Sequence, residues 1–131
     1  MFRFPLWRHL TALSLKSVRY GIANTQPADV QESIYQNATF ESGLASWEIG
    51  MWFLYRSPPT AVNYQASHCP VLVIGGLDDK VTPISVQRNI AKRFGRRATL
   101  VELPGVCHWT VANLHLPVVS KTVIDWIKDY E

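Results

Sequence analysis

The chain has 131 residues, of which 47% are hydrophobic and 18% are charged. This balance excludes a disordered chain, and the length allows one domain or a part of one. The net charge of +3 results from thirteen basic and ten acidic residues, and five of the basic ones lie within residues 88–97. Because Phe94 is the single aromatic residue in that cluster, bases would have no stacking platform there, and we expect no nucleic-acid partner.

The N-terminal segment is apolar, but basic residues interrupt it before a signal-peptide core could form. The strongest apolar run, residues 49–55, is far below the roughly twenty residues that span a bilayer. We therefore expect a cytoplasmic chain without membrane contact. The two cysteines, Cys69 and Cys107, fit neither a disulfide framework nor a zinc spacing, and we expect both to be buried thiols.

Helical periodicity dominates up to the paired prolines at 58–59. Apolar residues at helical spacing predict a helix over residues 5–20, with Gly21 as its C-terminal cap. A second helix begins at Pro27, which suits a first helical turn and precedes apolar residues at four-residue steps. Residues 43–55 are apolar on nearly all sides, which predicts a helix that must cover another surface.

After the prolines the pattern becomes that of an α/β sheet. Residues 71–74 are a continuous apolar run, typical of a strand that is buried on both faces. Residues 84–94 predict a helix, residues 98–103 predict a second strand, and Pro117 opens a final helix. The order strand, helix, strand, helix indicates parallel strands joined by right-handed crossovers, so the fold class is α/β.

Ionisable residues follow both predicted strands. Asp78 and Asp79 come after the first strand, and His108 comes after the second. Because functional groups of open α/β sheets collect beyond the carboxyl ends of the strands, we expect a carboxylate and the imidazole to meet there. Such a carboxylate would fix the imidazole tautomer and stabilise the imidazolium that forms when the other nitrogen takes a proton.

Two of these segments resemble parts of the α/β-hydrolase superfamily. Residues 69–76, followed by Asp79 and Pro83, are similar to its acid turn, and residues 102–108 are similar to its histidine loop. His108 follows Asp79 by 29 positions, a separation that suits the superfamily. The resemblance implies that Asp79 is the triad acid and His108 the general base and acid. Asp78 is the weaker candidate, because Asp79 keeps the spacings to the glycine and to the proline.

The resemblance also implies an organisation for the whole chain. Residues 1–57 resemble the helical cap that many of these hydrolases insert before the acid strand, residues 58–68 would be a linker, and residues 69–131 would be the C-terminal part of the core. The cap aromatics could line a substrate pocket, but we favour a place in the cap's own core and its contact with the main domain. These aromatics are Trp47, Trp52, Phe53 and Tyr55.

The superfamily's nucleophile, which sits in a Gly-x-Ser-x-Gly elbow, does not occur in this sequence. Cys107 adjoins His108, but neighbours on an extended loop point apart, which argues against a Cys-His dyad. Without a nucleophile no covalent intermediate forms, so we expect the chain alone to be inactive. We favour a piece of a longer reading frame that supplies the missing N-terminal half of the sheet. A subunit completed by a partner chain, or a degenerate relative, also fits.

In the complete protein, the resemblance implies hydrolysis of an ester, amide or related bond in a small-molecule substrate, without a cofactor. A metal enzyme is one rival, with candidate ligands Asp78, Asp79, His108 and His115, but no paired-histidine helical motif occurs and we expect His115 to be a polar loop residue. The second rival is a non-catalytic interaction module that binds a partner through an edge strand and the helix 43–55.

Overall fold

The computed structural model of the chain describes residues 10–130. In its N-terminal half, the short strands β1 (Leu10–Thr11) and β2 (Glu41–Ser42) pair antiparallel. Between them lie α1 (Leu15–Ser17), a π-helical turn (Val18–Ile22) and α2 (Ala28–Gln36). β2 leads into α3 (Gly43–Gly50), and a 3₁₀ turn follows at Trp52–Leu54.

Of the helix expected over residues 5–20, the described part is helical only from Leu15 onward, as α1 and the π-helical turn, whereas Leu10–Thr11 form β1. Residues 5–9 of this prediction lie outside the described residues. The Ser14 hydroxyl accepts a hydrogen bond from the Ser17 N–H, so α1 begins after Ser14. The chain then widens into the π-helical turn, which the Ala23 N–H closes onto the Val18 carbonyl at 2.8 Å. Gly21 therefore lies inside that turn and does not cap a helix.

The other two N-terminal helices form near their expected positions. α2 begins directly after Pro27, as predicted. α3 begins where the Ser42 hydroxyl accepts from the Ala45 N–H, but it ends at Gly50, short of the expected Tyr55. Glycine is a poor helix former, and the chain continues beyond it as the tighter 3₁₀ turn.

The C-terminal half is a parallel two-stranded sheet with two helices, which confirms the α/β fold class. β3 (Val71–Gly76) pairs with β4 (Ala98–Leu103), so that Val71 lies opposite Ala98 and Gly76 opposite Leu103. α4 (Ile84–Phe94) and a 3₁₀ turn (Gly95–Arg97) connect the strands. A further 3₁₀ turn (Asn113–His115) precedes α5 (Leu116–Lys128).

α4 and α5 cover opposite faces of this sheet. Ile74 of β3 packs in the core cluster with Val119 of α5, whereas a Cβ on Gly75 would meet Ile84 of α4. Successive strand residues point to opposite faces, so one helix lies on each side. Of the strand side chains, Val73 and Leu103 are buried and most others are half-buried, less than the sequence predicted.

Several apolar side chains lie at the surface of the described residues. Trp52 and Phe53 are 54% and 60% exposed, so they do not form the core that was expected of the cap aromatics. Cys69 is also exposed, contrary to prediction, whereas Cys107 is fully buried.

Within residues 10–130, no helix is long and apolar enough to cross a membrane. The division of the chain into a cap, a linker and a core part, with boundaries after residues 57 and 68, stays a prediction.

Candidate active site

Two loops leave the sheet side by side, because the parallel register places the ends of β3 and β4 at one edge. We call residues 77–83 the acid turn and residues 104–112 the histidine loop. The Leu77 N–H donates to the Leu103 carbonyl and the Asp78 N–H to the Val106 carbonyl, both at 3.0 Å. A Cβ on Gly76 would lie 2.2 Å from the Val106 oxygen, so this close approach requires glycine.

The Asp79 carboxylate is buried in the acid turn and accepts four hydrogen bonds. Its Oδ1 accepts from the backbone N–H groups of Val81 and Thr82, both at 2.8 Å. Its Oδ2 accepts from the Thr82 hydroxyl at 2.7 Å and pairs with Nδ1 of His108 at 2.9 Å. Since a carboxylate offers about four acceptor positions, these partners fix its orientation fully.

The same contacts determine the charge of Asp79. Burial raises the pKa of its carboxyl, but the hydrogen bonds from His108, Thr82 and Val81 outweigh burial, and the pKa lies below its ordinary value. The group is therefore an anion near neutral pH. An anionic carboxylate can only accept hydrogen bonds, so His108 is the donor through its Nδ1–H.

His108 has one ring nitrogen engaged and one available. The imidazole is 39% exposed, whereas the Asp79 side chain is 5% exposed. None of the side chains or backbone groups within residues 10–130 makes a hydrogen bond to its Nε2. The arrangement presents an imidazole whose Nδ1 is held by Asp79 and whose Nε2 is accessible, which is the geometry of a proton acceptor.

Asp78 joins the acid turn to other segments, and none of its hydrogen bonds among the described residues goes to the imidazole. Its Oδ2 accepts from the Gly105 N–H at 3.0 Å, which ties it to the start of the histidine loop. Its backbone carbonyl accepts from Nδ2 of Asn24 at 3.0 Å. The two neighbouring aspartates thus point at different targets, Asp79 at the imidazole and Asp78 at loop backbone.

His115 is buried and forms its own cluster, which corrects the expectation of a polar loop residue. Its Nε2 lies 2.8 Å from Oγ1 of Thr25 and 3.5 Å from Sγ of Cys107. Burial lowers the pKa of His115, so the ring is neutral at neutral pH. The hydrogen bond of the Cys107 sulfur goes to His115 and not to the adjacent His108.

Among the described residues, no three or more histidine, cysteine or acidic side chains are grouped to hold a metal ion.

Residues 22–26, which we call the bracket segment, contact the site although the sequence did not predict it. The Ile22 carbonyl accepts from the Trp109 N–H at 2.9 Å. The Gln26 side chain donates to the Trp109 carbonyl at 3.3 Å and accepts from the Leu114 N–H at 3.4 Å. The sequence feature that could have predicted these contacts is the run of three polar side chains at 24–26. Such a run before a proline is also typical of an ordinary surface loop, so it does not indicate a contact with the site.

A groove of about 470 Å³ lies between α2 and the histidine loop. Trp109 lines it together with apolar residues such as Val30 and Ile34 and the polar residues Ser33 and Asn37. His108 is not among the lining residues, although it precedes Trp109 in the chain. The groove is therefore adjacent to the histidine loop without containing the imidazole.

Comparisons with known proteins place the chain in a family. No curated protein and no solved structure showed significant similarity to it. The family model described as TAP-like protein matches residues 44–130, about two thirds of the chain. This family is part of the α/β-hydrolase superfamily, in agreement with the resemblance of the acid turn and the histidine loop. The chain therefore belongs to the TAP-like family of α/β-hydrolases.

Proposed function

We propose that Asp79 and His108 are the acid and the general base of a catalytic triad that hydrolyses an ester, amide or related bond. The nucleophile comes from polypeptide outside these 131 residues, either in a longer chain or in a partner. The hydrogen bond of 2.9 Å between Oδ2 of Asp79 and Nδ1 of His108 carries the proposal. It is supported by the accessible Nε2 and by the match to an α/β-hydrolase family.

Each side chain has a separate task in this proposal. Nε2 of His108 takes the proton of the attacking nucleophile and later gives it to the leaving group. Asp79 holds the Nδ1–H throughout and stabilises the imidazolium without becoming protonated. The four hydrogen bonds on its carboxylate support this task, because they keep the pKa of Asp79 low and its oxygens in place.

The substrate in this proposal is a small molecule that reaches His108 from its exposed side. We further propose that residues 1–57 form a cap, residues 58–68 a linker and residues 69–131 the C-terminal part of the core, in a cytoplasmic protein without a cofactor. The fold alone does not choose among bond types, since one scaffold hosts many reactions. The nucleophile would be serine, or aspartate as in the dehalogenases and epoxide hydrolases of the superfamily.

The test is fluorophosphonate labelling of the protein encoded by the complete reading frame that contains this sequence. We expect labelling of the wild type and a rate lower by about 10³- to 10⁴-fold in His108→Ala and in Asp79→Asn. The matched control is Asp78→Asn, which also removes a neighbouring negative charge but keeps an oxygen acceptor for the Gly105 N–H, and it should label within a few-fold of wild type.

The possible outcomes separate the alternatives. Unchanged labelling of His108→Ala would overturn the role of His108. A wild type that hydrolyses a haloalkane or an epoxide without being labelled would indicate an aspartate nucleophile. The 131 residues alone should not be labelled, because no nucleophile elbow is present in them.

A non-catalytic interaction module is the second candidate, and the exposed apolar side chains of residues 49–54 favour it. Ile49, Trp52, Phe53 and Leu54 are each more than half exposed, and such patches mark contacts with other polypeptide. In the hydrolase proposal, the rest of the enzyme covers this patch. A reading frame with no glycine-flanked serine, together with no hydrolysis, would favour the module.

A further inference from the structure

His108 is flanked in the sequence by two residues that the bracket segment holds. On one side, Trp109 is bound through its N–H to the Ile22 carbonyl and through its carbonyl to the Gln26 side chain. On the other side, the Cys107 sulfur contacts His115, whose Nε2 pairs with Oγ1 of Thr25. One short stretch of chain, more than eighty residues earlier in the sequence, therefore holds Trp109 directly by its backbone and Cys107 indirectly through the side chain of His115.

Three of the side chains that make these contacts are buried. Gln26 and His115 are 5% exposed, and Cys107 is fully buried. Hydrogen bonds in such surroundings are stronger than at the surface, and an unpaired group there is costly. The bracket segment is itself held, because Nε2 of Gln31 donates to the carbonyls of Ala23 and Gln26, both at 2.9 Å.

We propose that Thr25 and Gln26 are positioning residues for His108, a role that rests on the proposed catalytic function of that histidine. Thr25 acts through His115 and Cys107, and Gln26 acts through Trp109; neither touches the imidazole. They keep the imidazole at hydrogen-bonding distance from Asp79 before any substrate binds. A misplacement of about 1 Å can lower a rate by about 100-fold, so small shifts of this loop are enough to impair proton transfer.

The principal variant is Thr25→Val, which keeps the shape of the side chain and removes the hydroxyl that pairs with His115. We expect kcat to fall by about 10- to 100-fold in the protein of the complete reading frame, with KM within about threefold of wild type. Thr25→Ser restores the hydroxyl and should return kcat to near the wild-type value. Thr122→Val is the matched control, since it removes a hydroxyl that donates to the Val118 carbonyl in α5, away from the site.

Gln26→Met tests the other side of the loop, and Gln36→Met is its control. Gln26→Met removes the hydrogen bonds to Trp109 and Leu114, whereas Gln36 donates to the exposed Glu32 within α2. We expect a loss in kcat for Gln26→Met of the same order as for Thr25→Val, and none for Gln36→Met. If one variant does not fold, the other decides the question.

The second measurement does not depend on activity. Proton NMR of the imidazole Nδ1–H of His108 reports its hydrogen bond to Asp79, and we expect this strongly deshielded signal to weaken or disappear in Thr25→Val and to persist in Thr122→Val. An unchanged signal together with unchanged kcat in both Thr25→Val and Gln26→Met would overturn the inference. If the signal responds while His108→Ala still labels normally, the positioning stands and the catalytic role of His108 fails.

Discussion

The strand-end region and the aromatic segment of residues 43–54 are built in opposite ways. In the first region, hydrogen bonds between residues far apart in the sequence join the acid turn, the histidine loop and the bracket segment. In the second, α3 is capped locally by Ser42, and Ile49 and Phe53 are 65% and 60% exposed. The orientation of His108 thus depends on polar contacts that the described chain already contains. The aromatic segment exposes apolar area, which further polypeptide could cover with a gain of about 25 cal/mol per Å².

The largest expected effect comes from Gly76→Ala, which would break the contact between the two loops. The added Cβ would meet the Val106 carbonyl oxygen at 2.2 Å and its carbon at 2.8 Å, and backbone atoms cannot rotate away. We expect a loss of about 3 kcal/mol in the free energy of unfolding, at the upper end of overpacking effects. Urea unfolding of the protein from the complete reading frame measures it.

The same variant should also separate Asp79 from His108, because Gly76 adjoins the acid turn and Val106 lies in the histidine loop. We therefore expect the Nδ1–H signal of His108 to be lost in Gly76→Ala even where the protein remains folded. A variant with wild-type stability and an unchanged signal would show that the loops approach less closely than described.

The next effect in size is a pH dependence of stability that originates at His115. Burial lowers its pKa in the folded protein below the ordinary 6.5, so below that pH the unfolded chain binds a proton more readily than the folded one. The stabilisation is complete above pH 6.5 and is lost as the pH falls from there through the lowered folded pKa. We expect the urea midpoint to be lower at about pH 5.5 than at about pH 7.5.

His115→Gln is the variant that isolates this effect. Glutamine keeps a polar group for Thr25 but does not titrate, so the difference between the two midpoints should shrink. Asp79 cannot change the stability in the same pH range, because its pKa is lowered from an ordinary 3.8. Its contribution to the free energy of unfolding is therefore lost only in more acidic solution. An undiminished difference in His115→Gln would assign the pH dependence to another group.

The smallest effect, and the one of opposite sign, is expected in the aromatic segment for Gly50→Ala. Gly50 ends α3, and a Cβ there would meet no atom within 4 Å. Alanine favours the helix and restricts the unfolded chain, so we expect a gain of about 0.5 kcal/mol in the free energy of unfolding. A loss of more than about 1 kcal/mol in the urea experiment would mean that other polypeptide packs against this position.

The parts of the fold that the sequence predicted depend on local patterns. The apolar run at 71–74 predicts β3 and the helical spacing in 84–94 predicts α4, and the two elements pack against each other. The pairing of Asp79 with His108 followed from their positions after two parallel strands. In each case the signal lies in the element itself or in the strand directly before the loop.

The features that the sequence did not predict are of two kinds. Some are contacts between distant segments, and others are the burial or exposure of a side chain by the segments that lie over it. Thr25 and His115 are 90 positions apart, and no periodicity relates them. The burial of His115 and the exposure of Cys69 depend on which segments lie over them, and residue type alone does not determine this. The π-helical turn has no local signature either, since its residues also suit an α-helix.

Because of the π-helical turn, the site depends on the number of residues before the bracket segment and not only on their identity. A π-helical turn contains one residue more than the α-helical turn that it replaces. The turn therefore already takes up one extra residue, and inserting another within Val18–Ile22 would rotate everything after it by about 100°. Thr25 and Gln26 would then point away from the histidine loop although every side chain of the bracket segment was still present. The site should therefore tolerate many substitutions in this turn better than a change in its length.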